Sequence, residues 1–263
     1  MGKSKGSNRN SGSTVEAKAS TTDSSTASFP RHLWLHASSD APSTSYKRPR
    51  SIENLHEDYD SIWVIRNFME ATECSAWIRW MESDQETWQY LKQKGTRYMA
   101  ARECHRTHRQ DAVTANTIFQ RLTESCPDAA TNQLYVPGCK LTGCNPNLRL
   151  YKYEKGMSFG QHIDESNTVA DGHVTKMTVL IYLSSCGGGA TRFLGGHLTA
   201  GPFFVTGTNA PAEIAFAPAP GAMLLHVHGD DCLVHEADPV TSGIKYVLRT
   251  DLVYTRVDYQ QTS

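Results

Sequence analysis

Residues 213–254 read EIAFAPAPGAMLLHVHGDDCLVHEADPVTSGIKYVLRTDLVY. Three runs in it, EIAFAP, MLLHVH and KYVLRTDLVY, are set apart by PAPG and TSG, residue types that end strands and turn the chain. The same texture reaches back to about residue 133, through LRLYKY at 148–153, MTVLIYL at 177–183 and GGG at 187–189. Many short strands with Gly/Pro turns predict a β-sandwich or barrel rather than a parallel α/β sheet. Upstream the period changes. IWVIRNF at 62–68 reads as a strand, after which Cys74, Trp77, Ile78 and Met81 fall at i, i+3, i+4, i+7 on one helical stripe. Ala115, Ile118, Phe119 and Leu122 form a second stripe, with Asp111 placed as its N-cap. The expected fold is therefore mainly β with N-terminal helices.

The 263 residues carry 26 Lys/Arg against 27 Asp/Glu, which conceals an asymmetry. Residues 1–50 hold eight basic and three acidic residues with 17 Ser/Thr, so the body is mildly acidic and the tail basic. Ordering such a tail costs roughly 1–2 kcal/mol of backbone entropy per residue, and it has little apolar surface to offset that. Residues 1–57 are accordingly expected to be a disordered Ser/Thr-rich tail, in which Phe29, Leu33, Trp34 and Leu35 are the side chains able to dock. Residues 58–258 are expected to form one domain and 259–263 a short C-terminal tail. Lys47-Arg48-Pro49-Arg50 reads as a basic linker or a nuclear address. Seven cysteines without a CxxC pair suggest neither a disulfide framework nor a zinc ribbon. No run approaches the ~18 apolar residues of a membrane span, and MGKSKGSNRN lacks the apolar core of a secretory signal. The expected setting is intracellular, cytoplasmic or nuclear, without a membrane.

The chemistry starts at His162-Ile163-Asp164. On a strand, residues i and i+2 point to one face, so this imidazole and carboxylate can reach one ion together. His235 can add a third donor, giving two His and one carboxylate on one face of an octahedron, the arrangement that suits non-haem Fe(II). An HxD by itself is weak evidence, since surface turns contain it often. Lys245 raises its weight: ten residues after His235 and past the turn PVTSG, it offers a cation for the far carboxylate of a chelating 2-oxo acid.

With those residues in hand, the chain resembles the Fe(II)/2-oxoglutarate-dependent dioxygenases, in their prolyl-hydroxylase-like branch, along most of residues 61–256. The likeness lies in NLRLYKYEKGMSFGQHIDES, TVLIYL, GGGATRFL, PAPGAMLLHVH and HEADPVTSGIKYVLRTDLVY. It implies a double-stranded β-helix, or jelly roll. It implies that His162, Asp164 and His235 hold iron and that Lys245 binds the distal carboxylate of 2-oxoglutarate. It further places Tyr153 as a donor to that co-substrate and Thr191 in the same pocket. O2 is the second co-substrate it implies, with L-ascorbic acid as an accessory of the branch. The chain departs from the family after TVLIYL, where Ser184 stands at a position commonly Asn; a turn rather than the chemistry is expected to feel the change. The resemblance favours hydroxylation of a protein side chain, proline first. The alternatives are hydroxylation or demethylation of a nucleic acid or small molecule within the same superfamily, and a non-catalytic metal-binding jelly roll.

Other residues divide between roles. Arg249 has the strand parity of Lys245, so it faces either 2-oxoglutarate or a buried carboxylate such as Asp251 or Glu236. His226 and His228 read as strand or turn histidines. Arg97, Arg102, Arg106 and Arg109, with His105 and His108, read as a solvated loop in the helical half, with a grip on an acidic substrate segment as the alternative. The mouth of the barrel is expected between residues 165–175 and 197–212, the latter a candidate lid. Neither loop has the cation density that phosphate contacts need, so a protein or peptide substrate is expected ahead of nucleic acid.

Overall fold

A computed structural model describes residues 29–34, 50–56, 60–170, 172–194 and 214–257. The candidate lid, Lys47 to Pro49, and residues 258–263 lie outside them. The strands are β1 (Glu53–Asn54), β2 (Ile62–Ile65), β3 (Gln89–Gln93), β4 (Arg102–Gln110), β5 (Cys139–Cys144) and β6 (Asn147–Tyr153). They continue as β7 (Phe159–His162), β8 (Thr168–Ala170), β9 (His173–Tyr182), β10 (Cys186–Gly188), β11 (Thr191–Leu194) and β12 (Ile214–Phe216). The last are β13 (Met223–Val227), β14 (Val234–Ala237), β15 (Val240–Gly243) and β16 (Lys245–Arg256). Two helices, α1 (Ala71–Ser83) and α2 (Ala112–Ser125), precede the main run of strands.

One curled antiparallel sheet runs β1-β2-β13-β9-β16-β6-β4-β7-β14-β11-β12, and β10 pairs with β15 beside it. This is the jelly roll that the sequence implied. β16 is its spine, pairing with β9 on one side and with β6 and β5 on the other. Alternation along β16 separates two cores. Leu248 and Leu252 join Trp77, Ile118 and Val179 under the helices, while Val247 faces inward with Tyr151, Tyr153 and Tyr182. Lys245 and Arg249 share the inward parity and are drawn to the barrel interior by it.

The helices follow the sequence closely. Cys74, Trp77 and Met81 are buried on α1, and Ala115, Ile118 and Leu122 on α2. Asp111 caps α2, accepting from the backbone N–H of Val113 and Thr114. The two are pinned together by a buried ion pair, Arg121 Nη1 and Nη2 donating to Glu73 at 2.7 and 2.8 Å.

Of the tail side chains named as able to dock, Phe29, Leu33 and Trp34 are buried in the helix-side core, and Leu35 lies outside the described residues. Phe29 packs on Trp77 and Trp80 at ring separations of 5.0 and 5.1 Å, and its N–H donates to Asp111 at 2.6 Å. The presumed loop of Arg102 to Arg109 is β4, paired with β3 and β6. Its string RECHRTHRQ has too few apolar residues to show a strand pattern, because charged side chains occupy both faces. Arg109 is buried in an ion pair with Asp84 and lies over the Trp80 and Phe29 rings.

Among the described residues no helix is long and apolar enough to cross a membrane. Because Trp34 is 3% exposed within this core, Trp34→Ala is expected to cost about 3–5 kcal/mol in urea unfolding. An unmoved midpoint would mean that the anchor does not dock in solution.

Candidate active site

Strands β7 and β14 pair so that His162 lies opposite His235. Asp164 falls just beyond the end of β7, held by Gly229 N–H donating to its carbonyl at 2.9 Å. The donor atoms of these three side chains lie within 4.8 Å of one another. Both imidazoles are oriented by the backbone. His162 Nδ1 meets Gly160 O at 2.8 Å and His235 Nδ1 meets Leu233 O at 2.9 Å, so in each ring Nδ1–H donates and Nε2 keeps its lone pair.

Protonation agrees with that geometry. Burial, then the neighbouring His235, pushes His162 down to about 3, and burial likewise lowers His235. Burial alone would raise the Asp164 carboxyl, but Arg249 and then His235 outweigh it and hold it well below the usual carboxylate range. Two neutral imidazole nitrogens and one carboxylate oxygen are thus presented together, ready for a cation.

Asp164 is compensated by side chains from three strands. Arg249 Nη2 stands 3.0 Å from Asp164 Oδ2 and 3.4 Å from Asp251 Oδ1. Thr178 Oγ1 donates to Asp164 Oδ2 at 2.6 Å and accepts from Arg249 Nη2 at 3.1 Å. Its hydroxyl proton being committed, the 2.8 Å contact to His228 Nε2 has the imidazole as donor.

On the same face as Arg249, Lys245 is 3% exposed and its Nζ donates to Gly189 O at 2.7 Å. Its register partner on β6 is Tyr153, and Nζ lies 5.5 and 5.6 Å from the Tyr153 and Tyr182 ring centres. Burial pushes Lys245 down to about 8. The Gly187-Gly188-Gly189 run permits this approach. Gly188 sits at φ +68° beside the Pro239 carbonyl, where a Cβ would come within 2.3 Å. Thr191 exchanges a hydrogen bond with Tyr182 at 2.7 Å next to Lys245. His162, Asp164, His235, Lys245, Tyr153, Thr191 and Arg249 all line one pocket. Ser184 joins Tyr246 N–H to Ile244 O, clamping the start of β16.

Three lining residues were not assigned to the site by the sequence reading. Thr178 looks like an ordinary strand residue. His226, read as a strand histidine, is one on β13, but it is 2% exposed with Nε2 3.6 Å from Asp164 Oδ2, and neither ring nitrogen has a hydrogen-bond partner. Arg102 is the third, brought to the pocket by β4. The signal available for His226 was its inward parity within MLLHVH.

Among solved structures, a prolyl hydroxylase from Trichoplax adhaerens, in complex with a hypoxia inducible factor oxygen degradation domain peptide fragment, is 18% identical, with TM-score 0.50 over 74% of this chain and 84% of that one. The chain has the fold of the Fe(II)/2-oxoglutarate oxygenases. The viral collagen prolyl hydroxylase of Paramecium Bursaria Chlorella virus-1 aligns at 15% identity and TM-score 0.47, over 74% of this chain and 96% of that one. No protein-family model and no curated protein matches the sequence.

Replacing Arg249 by Leu would leave Asp164 and Asp251 as buried carboxylates without their shared guanidinium. The metal-free variant is expected to lose about 3–5 kcal/mol of stability at pH 7, measured by denaturant unfolding. A loss below about 1 kcal/mol would show that Asp164 does not depend on Arg249.

Proposed function

We propose that this protein is an Fe(II)- and 2-oxoglutarate-dependent oxygenase that hydroxylates a protein side chain, with proline the favoured residue. One observation carries the reading. Two imidazoles with free Nε2 atoms and an anionic Asp converge in one pocket that also holds a buried lysine. Among the described residues no carboxylate forms an ion pair with that lysine, whereas Arg249 is already engaged by Asp164 and Asp251.

The donor set fits iron. His162 Nε2, Asp164 Oδ and His235 Nε2 would hold it, since a metal needs neutral imidazoles, which burial supplies, and an ionised carboxylate, which Arg249 maintains against burial. Bound there, iron with 2-oxoglutarate and O2 supplies the oxidising chemistry for a C–H bond. The protein's own residues bind, orient and exclude water. The Lys245 ammonium would take the distal carboxylate of 2-oxoglutarate, with Thr191 and the Tyr153 phenol beside it. Tyr182 and Val247 close that end of the pocket with apolar surface, which strengthens the charge-assisted bond by removing water. Thr178 and Arg249 hold the Asp164 carboxylate in place. That the Trichoplax prolyl hydroxylase has a peptide bound supports a peptide substrate here.

Anaerobic addition of Fe(II) and then 2-oxoglutarate to the full chain is expected to raise a visible charge-transfer band, absent in His162→Ala, Asp164→Ala and His235→Ala. A wild-type protein without the band would overturn the reading.

The lysine gives a second test. Below about pH 8 free Lys245 is charged and meets the carboxylate directly; above it, binding must take up a proton. The affinity for 2-oxoglutarate is therefore expected to fall as pH rises past about 8, by up to roughly tenfold per unit, while Lys245→Met abolishes the dependence. Lys245→Glu should cost about 2–5 kcal/mol of binding. If Arg249→Ala raised the KM for 2-oxoglutarate more than Lys245→Ala, the role of anchor would pass to Arg249.

A further inference from the structure

Outward from the metal pocket runs a groove of about 650 Å³, walled by the β3–β4 connection, β6 and the residues following His162. Arg102 belongs to both spaces. Its guanidinium carbon lies 4.6 Å from the Tyr151 ring centre and 4.2 Å from that of Phe159. The Phe159 ring stacks in turn on His162 at 3.7 Å. A positive charge is thereby held between two aromatic faces, one ring's thickness from a candidate iron ligand.

Within the groove, Arg149 is paired with Asp251, and Arg249 with Asp164 and Asp251. Arg102 and Arg106 form no ion pair among the described residues, and the buried Nε of Arg102 has no hydrogen-bond partner. Aromatic faces return part of the hydration that a guanidinium loses, but not its counter-ion. Arg106 is exposed and has the parity of Arg102 on β4, so both face the groove, about 13 Å apart by strand geometry.

We propose that this groove selects an acidic segment of an extended peptide, one Asp or Glu pairing with Arg102 beside the residue delivered to the pocket and a second, about four residues away, reaching Arg106. This deepens the peptide-oxygenase reading and rests on it. The spacing follows from matched rises, since an extended peptide advances about 3.3 Å per residue, as β4 does, and residues four apart share a face. Exposed Tyr98 and Met99, at 80% and 50%, give apolar side chains of such a peptide a place at the rim. A nucleic-acid strand fits less well. It presents a continuous row of phosphates and needs a matching row of cations, whereas among the described residues only two groove cations here lack an ion pair, and Glu165 stands on the same wall.

The test is selection of random decapeptides, by mRNA display, on the immobilised full chain loaded with Co(II) and 2-oxoglutarate. Recovered peptides are expected to be enriched about tenfold in Asp and Glu over Lys and Arg, at two positions about four apart. Arg102→Gln should lose the preference at the inner position. Arg106→Glu, an exposed substitution that leaves packing alone, should turn the outer preference to Lys or Arg. Recovery of no peptides, of peptides without an acidic bias, or of a bias that survives both substitutions would overturn the proposal. So would weaker 2-oxoglutarate binding in Arg102→Gln with the acidic bias intact, which would assign the guanidinium to the co-substrate. Tighter binding of a random single-stranded DNA 20-mer at 0.15 M salt, sensitive to the same substitutions, would assign the cations to phosphates and overturn it too. The charge-transfer band of the wild type is read separately: its absence condemns the oxygenase reading, whereas a flat selection alongside the band condemns the groove proposal alone.

Discussion

The Asp164 carboxylate is an anion almost wholly removed from water, and the interior of the barrel is organised around its compensation. A buried carboxylate left alone costs several kcal/mol, so charge and hydrogen bonds must be brought to it from elsewhere in the chain. Arg249 comes from β16 and Thr178 from β9, strands that pair with each other. His235 comes from β14, against which β7 places His162. Satisfying one charge therefore fixes the mutual positions of four strands, and with them the three donor atoms.

The same strand settles a second requirement. Lys245 and Arg249 are four residues apart on one face of β16, and the barrel treats them oppositely. Arg249 meets two carboxylates, and burial does not discharge it, because Asp164 and Asp251 more than offset the desolvation. Lys245 meets a carbonyl and two phenol rings, so burial wins and lowers it. One cation is spent on holding the site together, and the other stays open to a ligand. A third arrangement appears at the groove, where Arg102 keeps its charge between aromatic rings. The pocket thus grades from a paired cation, through a buried one with only neutral partners, to one facing the open groove.

Outside the barrel the helices act as a platform. The Arg121–Glu73 pair locks α1 to α2, and the anchor at Phe29 and Trp34 covers their aromatic surface. Arg121 lies 4.9 Å from the Trp34 ring centre, so the anchor also shields that ion pair from water. These contacts lie on the outer side of β6, β9 and β16, and they keep the strands that carry Arg249, Thr178 and Tyr153 in register.

What the sequence determined by itself was whatever local rules express. Periods of 2 and 3.6 located the strands around 148–153, 177–182, 223–227 and 245–254 and both helices, and the capping chemistry of Asp111 started α2 where the structure starts it. The HxD spacing, with His235 and Lys245 downstream, named the residues that meet in one pocket, because side-chain parity survives folding. Tertiary structure decided the rest. β4 was invisible, since a strand made of Arg, His and Thr shows no hydrophobic alternation and is held by its neighbours' ladders. The sequence named Phe29, Leu33 and Trp34 as able to dock, but only the structure shows that they join the core under the helices. Whether Arg249 would serve a ligand or a buried carboxylate, and whether His226 would reach Asp164, depended on which strands β9 and β13 paired with. Pairing joins residues distant in the chain through geometry that no local pattern records, so only the closed barrel could assign one cation to structure and leave others open to ligands.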